Sequence, residues 1–170
     1  MTYPTEAVAN YFLERARASG EDISPMKLQK LVYYAHGWHL GILGEPLIDE
    51  QVEAWQFGPV IRSLYHEFKD FGNQPIDRLA TQGAGSGFSE PRIPNDPGST
   101  RDILEKVYES YVRFSASRLS MMTHAPGTPW SRTVEQYGGN LPRGTDIPHS
   151  LIQDHFRRLA YPEAPSPAHQ

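Results

Sequence analysis

Apolar positions recur at helical spacing through most of this chain, and most regularly in the segment after Ser24. Leu28, Leu31, Val32, Ala35, His39 and Ile42 fall at i, i+3, i+4, i+7, i+11 and i+14, which places them on one face at 3.6 residues per turn. Such a face has to be buried. Ser24 suits the N-cap and Pro25 the first helical position, where its missing N–H costs no intrahelical bond. Gly44-Glu45-Pro46 then supplies a permissive glycine and a residue that cannot continue a helix. Upstream, Ala7, Val8, Tyr11, Phe12 and Ala16 form an amphipathic helix ended by Ser19-Gly20, with Asn10, Glu14, Arg15 and Arg17 on its polar side. Downstream, Leu47-Ile48 and Val52 to Phe57 are expected to pair as a small hairpin around Asp49-Glu50. Gly58-Pro59 is expected to open a helix ending at Gly72, with Val60, Leu64, Phe68 and Phe71 at i, i+4, i+8 and i+11.

Between residues 73 and 99 the texture changes. Gly83, Gly85, Gly87, Pro91, Pro94 and Pro97 punctuate a stretch with scattered apolar residues, read as a long surface loop. Ser99 or Thr100 can cap a helix whose broad apolar face holds Ile103, Leu104, Val107, Tyr108, Tyr111 and Phe114. Ser117 can cap a shorter helix through Leu119, Met121 and Met122, and a helical turn runs from Trp130 to Gly138-Gly139. A last helix begins near Pro148 and buries Leu151, Ile152, His155 or Phe156, and Leu159. The expected fold is mainly α: a single compact helical domain of five to six helices with a small β-hairpin over residues 1–160, and a disordered proline-rich tail over 161–170.

Composition narrows the chemistry. At 170 residues the chain can bury one sizeable core. It has no cysteine, which excludes disulfides, thiolate metal sites and a cysteine nucleophile, and makes the reducing cytoplasm the natural compartment. The opening MTYPTEAVANYF has no basic, then apolar, signal-like character, and no run of 18 apolar residues occurs, so neither export nor membrane insertion is expected. A net charge of −4 speaks against broad attraction to nucleic acid or an anionic bilayer. Lys27, Lys30 and Arg157-Arg158 are the basic groupings worth naming, and a solvated face accounts for them.

His36 and His39 stand at i and i+3, a spacing that can share a metal, but they lack the HExxH arrangement and a third ligand at a characteristic spacing. They read as hydrogen-bonded core histidines. His124 could act as a general base with His149, Asp154 or His155, yet no nucleophile elbow, phosphate loop or dinucleotide fingerprint accompanies it. No enzyme activity is expected, and no cofactor or metal; His124 reads as fixing a loop. The aromatic set Trp55, Phe57, Tyr65, Trp130, Tyr33 and Tyr34 is expected to be mostly core or half-buried. Tyr33 and Tyr34 lie off the stripe on opposite shoulders, so one of them should be exposed or tucked under the hairpin.

Lys27-Leu28-Gln29-Lys30-Leu31, Tyr33-Tyr34-Ala35, Pro46-Leu47 and Glu53-Ala54-Trp55-Gln56-Phe57-Gly58-Pro59-Val60 occur in that order. Ser115-Ala116, Leu119-Ser120, Thr123-His124 and Pro129-Trp130 follow. Together they resemble the Panacea domain of the SocA-like antitoxin family, often labelled phage-associated, from about Val8 to Leu159. The resemblance implies a bacterial or prophage antitoxin of a type II toxin–antitoxin system that binds and neutralises a protein toxin encoded nearby. In one branch it also implies delivery of the toxin to a cytoplasmic protease. The expected partner surface comprises Tyr33, Tyr34, Trp55, Phe57 and Pro59; Lys27, Leu28, Lys30, Leu31, Ala54, Gly58, His124, Pro129 and Trp130 carry the family pattern as structural residues. Direct DNA binding is not expected, since the family-like helices begin within ten residues of Met1. A helical nucleic-acid-binding or phage-related regulator, and a small hydrolase using His124, are the alternatives.

Overall fold

The computed structural model describes residues 1–83, 87–95 and 98–162. Its axis is helix α2, Pro25–Leu43, which begins and ends where local chemistry dictates: the Ser24 side chain accepts from the Lys27 N–H, and Gly44 takes the left-handed cap. Before it, α1 spans Thr5–Ser19 and closes on a left-handed Gly20. After it come strands β1, Val52–Trp55, and β2, Gly58–Val60, then α3, Arg62–Phe68, with a 3-10 turn over Lys69–Phe71. The remaining elements are α4, Ser99–Tyr111; α5, Ala116–His124; α6, Pro129–Gln136; β3, Asp146–Ile147; and α7, His149–Ala160. The class is mainly α, as expected, with seven α-helices among the described residues and a third strand beside the hairpin. None of these helices is long and apolar enough to cross a membrane.

α7 lies directly on α2. A Cβ on Gly37 would overlap the Phe156 ring, and one on Gly41 would stand 2.6 Å from the Phe156 carbonyl carbon, so the two glycines set how closely the helices approach. Leu28, Leu31, Val32, Ala35 and His39 are buried, whereas Ile42, at the last turn, is exposed. On α7 itself Ile152 and Phe156 are buried, while Leu159 is exposed, which corrects its place in the core. α4 buries Ile103, Leu104, Val107 and Tyr108 and leaves Tyr111 and Phe114 half-buried. It has no side-chain cap; Thr100 instead meets His39 Nε2 at 3.0 Å. α5 is capped by Ser115 rather than Ser117.

The strand region departs most from expectation. Leu47 and Ile48 do not pair with the following strand: Ile48 bridges Tyr3, and the Leu47 N–H donates to His36 Nδ1 at 3.3 Å. β1 pairs antiparallel with β2, Trp55 opposite Gly58, and on its other side with β3, Val52 opposite Ile147. Gly58-Pro59-Val60 is therefore an edge strand and not a helix start, a place where the missing N–H of proline is tolerated. α3 starts only at Arg62, and its first-turn N–H of Ser63 donates to Glu50 Oε2 at 2.9 Å, a cap supplied from thirteen residues upstream. Asn10, placed by sequence on a polar face, is fully buried: it accepts from the Ala80 N–H at 2.7 Å and donates to the carbonyls of Ala80 and Pro91. The 73–99 loop is thereby tied to α1 through Ala80 and Pro91. The tail expected to be disordered lies, beyond Pro162, outside the described residues.

Candidate functional site

The tight turn between β1 and β2 is held by three successive main-chain carbonyls. Trp130 Nε1 donates to Trp55 O at 2.7 Å, His124 Nε2 lies 3.0 Å from Gln56 O, and Ser120 Oγ donates to Phe57 O at 2.9 Å. Carbonyl groups at the tip of a hairpin ordinarily bond to water; here side chains from α5 and α6 replace it. The clamp is itself braced. The His124 and Trp130 rings stand 4.0 Å apart, and His124 Nδ1 meets Ser120 O at 2.6 Å. Because a carbonyl only accepts, a neutral His124 ring serves one of its two carbonyls and a doubly protonated ring serves both. Thr128 caps α6, with Pro129 at the first helical position, and its hydroxyl bridges back to the carbonyls of Thr123 and Ala125, which fixes the α5–α6 corner.

From the opposite side, polar residues of the first turns of α2 hold the hairpin, its exit and the end of α4. Gln29 donates to Ile61 O at 3.0 Å and accepts from Ile61 N at 2.9 Å. Lys30 Nζ donates to Pro59 O at 3.1 Å, and Lys27 Nζ donates to Val112 O. The solvated face expected for these lysines is thus corrected: Lys27 is partly covered where it reaches the end of α4, and Lys30 is only 1% exposed because the hairpin docks on its side of α2. Gly58 is the junction of the two sets of contacts. Its φ of 110° lies where side chains are strained, and a Cβ there would come within 2.7 Å of Thr123 Oγ1 and 3.0 Å of Lys30 Nζ.

With its backbone so occupied, the turn directs side chains outward. Phe57 is 61% exposed. Trp55, half-buried, packs edge-on against exposed Tyr65 at 4.8 Å, and its Nε1 donates to Glu53 Oε1 at 3.2 Å. Glu53, buried, is also gripped by Arg62 through both oxygens at 2.8 and 2.9 Å, which holds its carboxyl below the usual range. Trp55 and Tyr65 stand between two hollows. One, of about 890 Å³, is walled by Arg62, Trp130, Val134 and Leu141; the other, of about 500 Å³ and mostly apolar, by Met26, Lys30, Phe57, Val60 and Lys69.

The expected partner surface is divided by this arrangement. Trp55 and Phe57 come together at the turn, but Tyr33, Tyr34 and Pro59 are buried. Neither tyrosine is exposed or under the hairpin: both lie edge-on to Phe156 of α7, and Tyr34 stacks on Tyr111 of α4 at 4.2 Å. Burial pushes both hydroxyls well above the ordinary tyrosine range. Of the family-pattern residues, Leu28, Leu31 and Ala54 are core, Lys30, Gly58, His124, Pro129 and Trp130 build the clamp and its supports, and Lys27 ties α2 to the end of α4. Met26 and Lys69 were not singled out by sequence reasoning, and Ser120 entered only through the family pattern; the lone signal for the first two was Met26, a large apolar residue off the α2 stripe.

His36 and His39 are core histidines, as expected. His39 meets Glu45 O at 2.7 Å, and His36 packs 4.9 Å from the ring of His149. The residues of the hydrolase alternative are engaged separately: His124 with main-chain carbonyls, His149 with His36, and Asp154 with Arg158 at 2.8 Å. Among the described residues no three-residue group of histidine and carboxylate side chains could hold a metal ion.

The family profile described as antitoxin SocA-like, Panacea domain, matches residues 28–131, a span that runs from α2 through the clamp to α6. Antitoxin SocA of Caulobacter vibrioides (strain NA1000 / CB15N) is 38% identical over 152 residues, covering 89% of this chain and 81% of that protein. No solved structure shows a significant match.

Proposed function

Since the chain belongs to the SocA-like antitoxin family with its Panacea domain, we propose that it neutralises a protein toxin encoded nearby by binding it through the clamped hairpin turn. The observation that supports this surface most is the turn itself. Three carbonyls in a row are bound by Trp130, His124 and Ser120, and the large apolar side chain they leave outside is Phe57. An exposed aromatic on an immobilised backbone loses little freedom on binding, which is what an interface anchor requires. Trp55 and Tyr65 extend the apolar surface beside it. Neutralisation on this reading is stoichiometric occlusion in the cytoplasm, without turnover, as one half of a type II toxin–antitoxin pair. A role in handing the toxin to a protease is told apart by the half-life of the toxin with and without this chain.

The test is to induce the neighbouring reading frame with and without this chain, score growth, and purify the chain by an affinity tag. Restored growth with a one-to-one or fixed-ratio complex is the expected result. A toxic neighbour that is neither rescued nor retained contradicts direct neutralisation.

A further inference from the structure

The hollow beside Phe57 combines two properties that seldom occur together. Its wall is apolar, with Met26, Trp55, Phe57, Val60 and Tyr65, yet it includes Lys30 and, at its exposed edge, Lys69, and among the described residues no aspartate or glutamate lines it. In a chain of net charge −4 that is a local inversion of sign. Lys30 is the unusual member. Its ammonium has Pro59 O as its hydrogen-bond acceptor, and among the described residues no carboxylate pairs with it. A buried ammonium carries three donors and is costly to desolvate without a counter-charge. Burial alone pulls it down to about 8. By contrast, buried Glu53 on β1 has its arginine.

We propose that this groove receives an apolar segment of the partner protein carrying a carboxylate side chain, which lies over Lys30 with Lys69 at the rim while its apolar neighbours pack on Phe57, Met26 and Trp55. The inference rests on the toxin-binding reading above and adds the chemistry of the segment that is bound. The partner supplies the counter-charge that none of the described residues provides, in a low-dielectric site where the pair is strong and an uncharged analogue leaves the ammonium unpaired.

Two blocked tripeptides, acetyl-Leu-Glu-Phe-amide and acetyl-Leu-Gln-Phe-amide, test it by titration into the isotope-labelled full chain, followed by NMR. The glutamate peptide is expected to shift the Trp55 indole and Met26 methyl signals and to bind at least tenfold more tightly than the glutamine peptide, against the chain's overall negative charge. Lys30→Met should abolish that preference. So should raising the pH from 7 to above 9.5, because a neutral amine gives no ion pair; the bound carboxylate raises the lysine's value, so the loss begins above pH 8. Equal binding of the two peptides, a preference that survives Lys30→Met, or no shift at millimolar glutamate peptide overturns the proposal. If Lys30→Met does not fold, the peptide pair and the pH series on the native chain carry the test. Capture of the toxin separates the two readings: release by Phe57→Ala but not by Lys30→Met keeps the turn and removes the carboxylate anchor, whereas retention by both removes the surface itself. A dimer that dissociates on Phe57→Ala would assign the groove to a second copy and also overturn the proposal.

Discussion

The two ends of α2 are held by opposite means. Toward its C-terminus Gly37 and Gly41 let α7 approach until Phe156 sits on the helix backbone, and Tyr33, Tyr34, Trp38 and Tyr111 close the remaining space with rings. Toward its N-terminus Lys27, Gln29 and Lys30 reach the main chain of Val112, Ile61 and Pro59. Packing by shape consumes side chains, since every ring that fills the core is unavailable to a partner. Pinning by hydrogen bonds to carbonyls consumes backbone instead, and leaves side chains such as Phe57 and Met26 outside. The difference explains why Tyr33 and Tyr34, although aromatic and off the stripe, belong to the core, whereas Trp55 and Phe57 do not.

Perturbing the packed end should be the more damaging. Gly41→Val drives a branched side chain into the α7 backbone, and should cost about 3 kcal/mol of unfolding free energy in urea melts, with α7 displaced. At the same end, burial, then His149 and His39, pull His36 down to about 3 from an ordinary 6.5. Between those values the unfolded chain takes up a proton that the folded chain refuses, so stability falls as pH drops below about 6.5 and the loss ceases near 3. The share of His36 in the slope approaches about 1.4 kcal/mol per pH unit, and His36→Gln should reduce the slope in urea midpoints measured from pH 7 to pH 4.5, leaving the part due to His39 and His155, which burial also pulls down. At the pinned end, Gly58→Ala adds strain at positive φ and a contact with Thr123 Oγ1, for a cost of roughly 2 kcal/mol. Trp130→Phe removes the bond to Trp55 O and trims the ring packed on His124, for about 1 kcal/mol, and should raise hydrogen exchange in the hairpin selectively.

What could be read from sequence was what neighbours in sequence determine. Ser24, Pro25 and Gly44 bound α2, Gly20 ends α1, and the apolar stripes place Leu28, Val32, Leu64, Ile152 and Phe156 in the core. What could not be read depends on distant backbone. Lys30 counts as a surface residue until Pro59, 29 positions away, is known to offer its carbonyl. Asn10 looks solvated until Ala80 and Pro91 arrive, and the start of α3 is displaced because its cap is Glu50. Gly58-Pro59 fits a helix start and an edge strand equally by local rules; the pairing with β1 decides. At the site, the residues that clamp the turn were present in the family pattern, but their joint action on three consecutive carbonyls emerges only from the α5–α6 corner.

The substitution expected to disturb the fold least is the one expected to matter most for binding. Phe57→Ala removes an exposed ring and should change stability by less than about 0.5 kcal/mol. Capture of the toxin by this variant, compared with the wild type in the same cells and checked by thermal melting, is the most direct measurement of the central claim. The account predicts an unchanged melting curve, at least a tenfold loss of affinity for the toxin and failure to restore growth. An equally stable variant that still captures the toxin and rescues growth would contradict it.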